Sequence, residues 1–237
     1  MQTIIITGAS RRLGLYLTEQ FLQNNWHVIA ISRGISNELA SLKCDALTLH
    51  TVESYRIDHL DAVIQSIHSS VKKIDVIVHN ASRYEPDPDS DEFPLDYYAD
   101  LFQVHMVTPA YINASLADLL HDEANPGNII HITDIYAENP KADYSLYCST
   151  KAGLENLTKS LAKKYAPGIR VNSIQPGPIK FLPEHNEDHK EQVMKETLLK
   201  YEGGFSALYK AVLAILDNHY MTGGHIKVDG GRHIGKH

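Results

Sequence analysis

Tyr147 and Lys151 lie four residues apart in HITDIYAENPKADYSLYCSTK (131–151), a spacing that sets both side chains on one face of a helix. A phenol with an ordinary pKa of about 10 is a poor acid or base near neutrality, so a proton-handling tyrosine needs its phenolate stabilised. An ammonium one helical turn on supplies that positive charge. Asp134 stands upstream of the tyrosine, just after the apolar run NIIHIT (128–133), and adds a carboxyl group suited to general acid–base work. The three residues point to proton transfer.

These side chains need elements to bring them together. Short runs rich in β-branched residues, 3–7, 27–32, 45–49, 75–80, 128–133, 169–174 and 225–229, read as seven strands. Their near-continuous hydrophobicity predicts burial on both faces, as in a parallel sheet. Apolar residues at helical spacing fill 12–25, 60–71, 100–120 and 147–166, and weaker helices are expected near 193–217. The β-α alternation predicts one α/β domain over residues 1–237, a Rossmann-type doubly wound parallel sheet with helices on both faces. Two irregular segments, 82–96 and 175–192, leave the C-terminal ends of strands. With the helices that follow, to residue 217, they are the expected substrate walls.

TGASRRLG (7–14) joins the first strand to the first helix. A glycine-rich turn there points backbone N–H groups and a helix N-terminus at a pyrophosphate. The second strand ends in Ser32 and Arg33 with no acid, whereas an NAD-binding chain of this layout would have one for the ribose hydroxyls. A guanidinium pairs with a 2′-phosphate, so the expected cofactor is NADP(H). Asn80, in HNAS (79–82), is expected either to pin the sheet or to reach the adenosine side, and PGPI (176–179) to frame a nicotinamide.

The net charge of −7, without blocks of like charge, gives a nucleic-acid role little support. No stretch approaches the roughly 20 apolar residues of a membrane span, and the first ten residues have no basic region before IIIT. Two cysteines, Cys44 and Cys148, suit a reducing compartment, so a cytoplasmic location is expected. The histidines of EHNEDHKE (184–191) lack a firm metal geometry; a surface helix or substrate lid is expected there, and no metal site. The tail GGRHIGKH (230–237) is expected at a subunit interface, with no catalytic role for Arg232 or His233.

Taken in order, the glycine loop, Asn80–Ala81, Tyr147/Lys151, Pro176–Gly177 and VDGG (228–231) make the chain resemble the short-chain dehydrogenase/reductases over nearly its whole length. The resemblance implies a nicotinamide cofactor and a homodimer or homotetramer. It implies cofactor contacts from Thr7, Gly8, Arg11, Arg12, Leu13, Gly14, Ser32, Arg33, Asn80, Ala81, Ser82, Tyr147, Lys151, Pro176, Gly177 and Ile179.

Four departures narrow it. Arg12 stands where Thr-Gly-x-x-x-Gly-x-Gly would have its second glycine, Asp134 replaces the usual serine, and His105 replaces a helical asparagine. The acid often ending the third strand is absent from LTLHT. Together with Tyr144, Tyr147 and Lys151, and Asn80-Ala81-Ser82 followed by Tyr84, they make the chain look like the pteridine reductases, and among them the bacterial dihydromonapterin/dihydrofolate reductases. That resemblance implies substrate contacts from Arg12, Ser82, Tyr84, Asp134 and Tyr147, with Tyr84 stacking on a pterin. It implies reduction of a dihydropterin C=N bond, for which Asp134 is a plausible proton source. Two other readings stay open: a carbonyl reductase using Thr133 or a nearby hydroxyl, and an NADP(H)-sensing protein that has lost catalysis.

Overall fold

The computed structural model describes residues 1–89 and 92–235; positions 90–91 of the expected wall and 236–237 of the tail lie outside it. Seven parallel strands, β1 (Thr3–Thr7), β2 (His27–Ser32), β3 (Leu47–Thr51), β4 (Val76–His79), β5 (Gly127–Ile132), β6 (Ile169–Pro176) and β7 (His225–Val228), form one sheet in the order β3-β2-β1-β4-β5-β6-β7. The helices are α1 (Arg12–Gln23), α2 (Asn37–Ser41), α3 (Ile57–Ser70), α4 (Leu95–Phe102), α5 (Thr108–Ser115), α6 (Ala117–Leu120), α7 (Ser145–Tyr165), α8 (Glu187–Glu196) and α9 (Gly204–Asp217). This is the doubly wound architecture expected. Ile5 turns to one face with residues of α3, α5 and α7, while Ile4 and Ile6 turn to the other with α1 and α9. The strand order reverses between β1 and β4, and the crevice outside their C-terminal ends is where ligands of such sheets bind.

Some boundaries differ from expectation for local reasons. β3 runs two residues later, 47–51 rather than 45–49, because its pairing places Leu47 beside Val28. The helix expected over 100–120 is four pieces: α4, a π-helical turn at Gln103–Val107, α5 and α6. Pro109 lies at the start of α5, where its missing N–H is tolerated, and Leu116 (φ −116°) breaks the last turn. α8 begins inside the segment read as irregular because Asn186 caps it, accepting the His189 N–H at 2.8 Å. Among the described residues no helix is long and apolar enough to cross a membrane.

The core contains polar groups as well. His79 and His131 face each other across β4 and β5, ring centroids 5.2 Å apart. Thr158 donates to Leu154 O, so it accepts from His131 Nδ1–H at 2.7 Å; His131 Nε2 then accepts from Asn113 Nδ2, and Asn113 Oδ1 accepts from His79 Nε2–H at 2.7 Å. Each ring is fixed in one neutral tautomer. Burial pushes His79 down to about 4 and His131 well below the ordinary value. The unfolded chain therefore takes up protons first as pH falls through about 6.5. Stability is fully present above that pH and is lost from there down toward 4, with His105, buried and also lowered, contributing in the same sense. Urea unfolding at pH 5 should accordingly take up about three protons from these imidazoles, and the midpoint should drop between pH 7 and 4.5. A midpoint constant over that range would contradict neutral buried rings.

Candidate active site

β5 ends at Ile132 and delivers Thr133 and Asp134 to the sheet's C-terminal edge. Asp134 is extended (φ −166°, ψ 154°) and opens a 3-10 turn at Ile135–Ala137. Its Oδ1 accepts the Tyr136 N–H at 2.9 Å, which fixes the carboxyl plane. Its Oδ2 accepts the phenolic hydrogen of Tyr147 at 2.8 Å. Lys151 is buried one turn further along α7; its Nζ donates to Ile132 O at 2.9 Å and lies 5.7 Å from the centre of the Tyr147 ring. The three expected catalytic residues are thus one cluster, with an arrangement the spacing alone did not reveal: the partner of the phenol is the carboxyl group.

The electrostatics follow from that contact. Burial pushes the Tyr147 phenol well above 10, and the adjacent Asp134 charge adds to the shift. Burial also raises Asp134, against the pull of the Tyr136 N–H, the Tyr147 hydroxyl and Lys151. Lys151 is pushed down to about 8 by burial, with Asp134 and Glu155 opposing. The expected stabilised phenolate is therefore not the resting state; Tyr147 is a neutral phenol bonded to a carboxyl group that protonates more readily than usual.

Neighbouring hydroxyls are engaged elsewhere. The Thr133 hydroxyl donates to Glu155 Oε1 and lies 3.1 Å from Ile174 O, and Ser173 donates to Glu155 Oε2 at 2.9 Å. Thr133, one of the hydroxyls considered for a carbonyl reductase, is accordingly held between α7 and β6. Thr150 donates to Tyr147 O and so accepts from His105 Nδ1–H at 2.8 Å. His105 Nε2 is then an acceptor, taking the Ser82 hydroxyl at 2.8 Å and the Arg83 N–H at 3.4 Å. The π-helical turn delivers His105 to this position, edge-on to Tyr147 with centroids 5.4 Å apart. Ser82 thus bonds the histidine that replaces the usual asparagine.

Tyr84 stands at the mouth, stacked on Tyr144 (4.6 Å, 13°) and edge-on to Tyr147 (4.9 Å). Arg12 is directed to the opposite wall: its Nη2 donates to Lys180 O at 2.5 Å and its guanidinium lies 5.6 Å from the Phe205 ring. Tyr136 is covered by Arg232, which pairs with Glu196, so the tail contributes to this wall within its own chain. His185 and His189 pack against Phe181 before and within α8. Among the described residues no cluster of three or more His, Cys, Asp or Glu could hold a metal ion.

At the other end, Thr7 Oγ1 accepts the N–H groups of Asn80 and Ala81, both at 3.1 Å, and the Asn80 amide donates to Thr7 O and Gly8 O. These bonds show Asn80 pinning the end of β4 to the glycine loop, one of the two roles considered for it. A Cβ on Gly14 would lie 2.1 Å from Gly8 O, so no larger residue fits. The N-terminus of α1 has no side-chain cap and no acid in its first turn, Arg11 and Arg33 are exposed, and Leu13 faces the core. Ser32 donates to Gly34 O, shaping the β2 turn. Tyr55, which sequence reasoning missed, accepts the Gly8 N–H at 2.9 Å. Gly177 donates to Val228 O, and Pro176 pairs with Val228, so the PGPI segment, including buried Ile179, is locked to β7. The uncapped N-terminus of α1 beside the exposed Arg11 and Arg33 fits a phosphate-rich dinucleotide.

Comparison with known proteins agrees with this geometry. A family model described as short chain dehydrogenase matches residues 2–193. A dihydromonapterin reductase of Escherichia coli (strain K12) is 32% identical over 241 residues, covering 98% of this chain and 96% of that protein. One from Enterobacter sp. (strain 638) is 30% identical over 231 residues, covering 97% and 95%. Among solved structures, FolM alternative dihydrofolate reductase 1 from Brucella canis, complexed with NADP, has a TM-score of 0.89 at 23% identity, covering 100% of this chain and 95% of that one. A 4-hydroxyisoleucine dehydrogenase complexed with NADH reaches 0.91 at 23% identity with full coverage of both chains. At these identities the solved structures show the shared fold.

Arg12 keeps the backbone shape of the glycine it replaces, with φ of 52° in the left-handed region. A side chain there costs on the order of 1 kcal/mol relative to glycine. Arg12→Gly and Arg12→Ala both delete the contacts to Lys180 and Phe205 and differ chiefly in this backbone term. Arg12→Gly should therefore be the more stable of the two by about 1 kcal/mol in urea unfolding. Equal stabilities would mean that the loop relaxes out of the left-handed region.

Proposed function

The chain belongs to the short-chain dehydrogenase family, an oxidoreductase family, and on that premise we propose that it reduces a dihydropterin to the tetrahydro form with NADPH. The observation that carries the reading is the hydrogen bond from Tyr147 Oη to Asp134 Oδ2 beneath Tyr84. The relatives named dihydromonapterin reductase support the same substrate class. Dihydromonapterin, dihydrobiopterin and dihydrofolate all present the C=N bond this site suits.

A bound nucleotide would be held by the Thr7–Gly14 loop, with Arg33 toward the 2′-phosphate, Lys151 toward the ribose and Pro176–Ile179 toward the carboxamide. When bound, its reduced nicotinamide supplies the hydride for the ring carbon. The chain supplies the proton for the ring nitrogen. With Asp134 protonated, its O–H donates to Tyr147 Oη and frees the phenolic hydrogen for the substrate. As that hydrogen moves to nitrogen, the Asp134 hydrogen moves to Oη, leaving a neutral phenol and a carboxylate that solvent reprotonates. Lys151 lowers the cost of the carboxylate. Ser82, Tyr84 and Arg12 line the substrate side. The two cysteines, both free, are compatible with a cytoplasmic enzyme, and the family resemblance with a homodimer or homotetramer.

Asp134→Ala should lower dihydropterin turnover by at least about 100-fold while leaving NADPH affinity within about twofold. Steady-state rates with the three dihydropterins and a panel of small ketones test this; unchanged turnover, or ketones reduced in preference by the unaltered protein, would sink the reading. Activity should also decline as pH rises, first as Asp134 loses its proton and again near pH 8 as Lys151 loses its charge. A rate that climbs through that range would exclude Asp134 as the acid.

Arg33→Asp should reverse the cofactor preference, weakening NADPH roughly tenfold or more relative to NADH. Competition between the two cofactors in fluorescence titrations reads this directly. An unaltered ratio would remove Arg33 from the 2′-phosphate site.

A further inference from the structure

α7 carries Tyr147 in its first turn, yet the residue before the helix, Tyr144 (φ −131°, ψ 32°), offers it no side-chain cap. The first N–H groups of a helix have no partners within it, and burial without partners is costly. Here they are met from 58 residues away. Asp87 Oδ2 accepts the Ser145 N–H at 2.8 Å and the Ser145 hydroxyl at 2.5 Å, and Oδ1 accepts the Leu146 N–H at 3.2 Å. The Asp87 N–H returns a bond to Asp143 O at 2.7 Å. A carboxylate is also the charge that a helix N-terminus favours.

The same loop is fastened at its other end. Arg83 pairs with Glu85 and with Asp100, and its guanidinium lies 4.8 Å from the Tyr97 ring. Tyr97 Oη donates to Glu85 O at 2.7 Å. Tyr84 sits between these anchors, in contact with both Tyr144 and Tyr147. A segment tied to α4 before Tyr84's far neighbour and to α7 beyond it has little freedom to shift that ring.

We propose that Asp87 is a positioning residue: by capping α7 from the loop that bears Tyr84, it sets the spacing between Tyr84 and Tyr147 and thereby controls substrate affinity. This rests on the reading that substrate binds between Tyr84 and the reacting centre. Its role is distinct from catalysis, because Asp87 touches the backbone of α7 and none of Asp134, Tyr147 or Lys151 side chains in the described contacts.

The test is a double-variant cycle on the full chain with NADPH, using Asp87→Ala, Tyr84→Ala and both together. Asp87→Ala should raise KM for the dihydropterin roughly tenfold, with kcat changed less than about threefold and NADPH affinity unchanged. In the Tyr84→Ala background the same change should add little, since the effect acts through Tyr84. Asp87→Asn keeps one acceptor oxygen and should fall between, and amide exchange at Ser145 and Leu146 should quicken in Asp87→Ala. An additive cycle, a loss in kcat alone, or NADPH binding falling in step with KM would overturn the proposal and leave Asp87 as an ordinary stabilising cap. A protein that reduces ketones and no dihydropterin would refute the pterin reading, and the same cycle run on the ketone would still decide the role of Asp87.

Discussion

The face that α7 presents to β5 is polar for four successive contacts, and the site depends on it. Tyr147 donates to Asp134, Lys151 to Ile132 O, Thr133 and Ser173 donate to Glu155, and His131 donates to Thr158. Residues 147, 151, 155 and 158 recur at three and four, so they form one stripe along the helix. A helix that packed only by apolar contacts could rotate or slide by a fraction of a turn at small cost. Buried hydrogen bonds forbid this, because each broken pair leaves a desolvated group without a partner. The stripe therefore fixes the register of α7 on the sheet, and with it the separation between the phenol and the carboxyl group.

That seam also explains the direction of the electrostatics. Burying one lysine would drive it toward neutrality, but Lys151 lies near two carboxyl groups, Asp134 and Glu155, which hold part of its charge in place. Burial raises Asp134 even though the Tyr136 N–H, the Tyr147 hydroxyl, Lys151 and Arg232 all pull it down, so its carboxyl group protonates more readily than usual. Burial keeps Tyr147 a neutral phenol, and the Asp134 carboxylate adds to the effect when charged. A serine in place of Asp134 would remove that carboxyl group, and Lys151 would then act on Tyr147 alone. The aspartate thus changes the resting protonation of the whole group.

Much of this was readable from the sequence because it is local. Runs of β-branched residues gave the strands within two residues, as the shift of β3 from 45–49 to 47–51 illustrates, and the Tyr147/Lys151 pair is a matter of helical spacing. Arg12 was conspicuous as a replacement for glycine, and its positive φ shows that the loop kept its shape. What escaped was long-range. Asp87 caps a helix 58 residues on, Glu155 receives a hydroxyl from 22 residues back, and Tyr55 reaches Gly8 across 47 residues. Each is a polar residue with an unremarkable neighbourhood in sequence, and only the fold supplies its partner. The continuous helix expected over 100–120 failed for a related reason. The apolar spacing was right, but the π-helical turn around His105 answers to Ser82 and Thr150 in other elements.

The two walls of the crevice are fastened by different sets of contacts, and the difference bears on what they can do. On the α7 side Tyr147, Lys151 and His105 each have buried hydrogen-bond partners, and the loop bearing Tyr84 is bonded to α4 and α7. On the other side Arg12 reaches Lys180 O and the Phe205 ring of α9, beside a segment bonded through Gly177 N–H to Val228 O, Gly204 N–H to Ile179 O and Phe181 N–H to Glu202 Oε1. A flat ring is best gripped when one face is preset and the other closes on it, since the fixed face retains its geometry while the second pays the ordering entropy. The wall with these buried bonds is the one that carries Tyr147 and Asp134, whose 2.8 Å contact lies in the range that proton transfer demands.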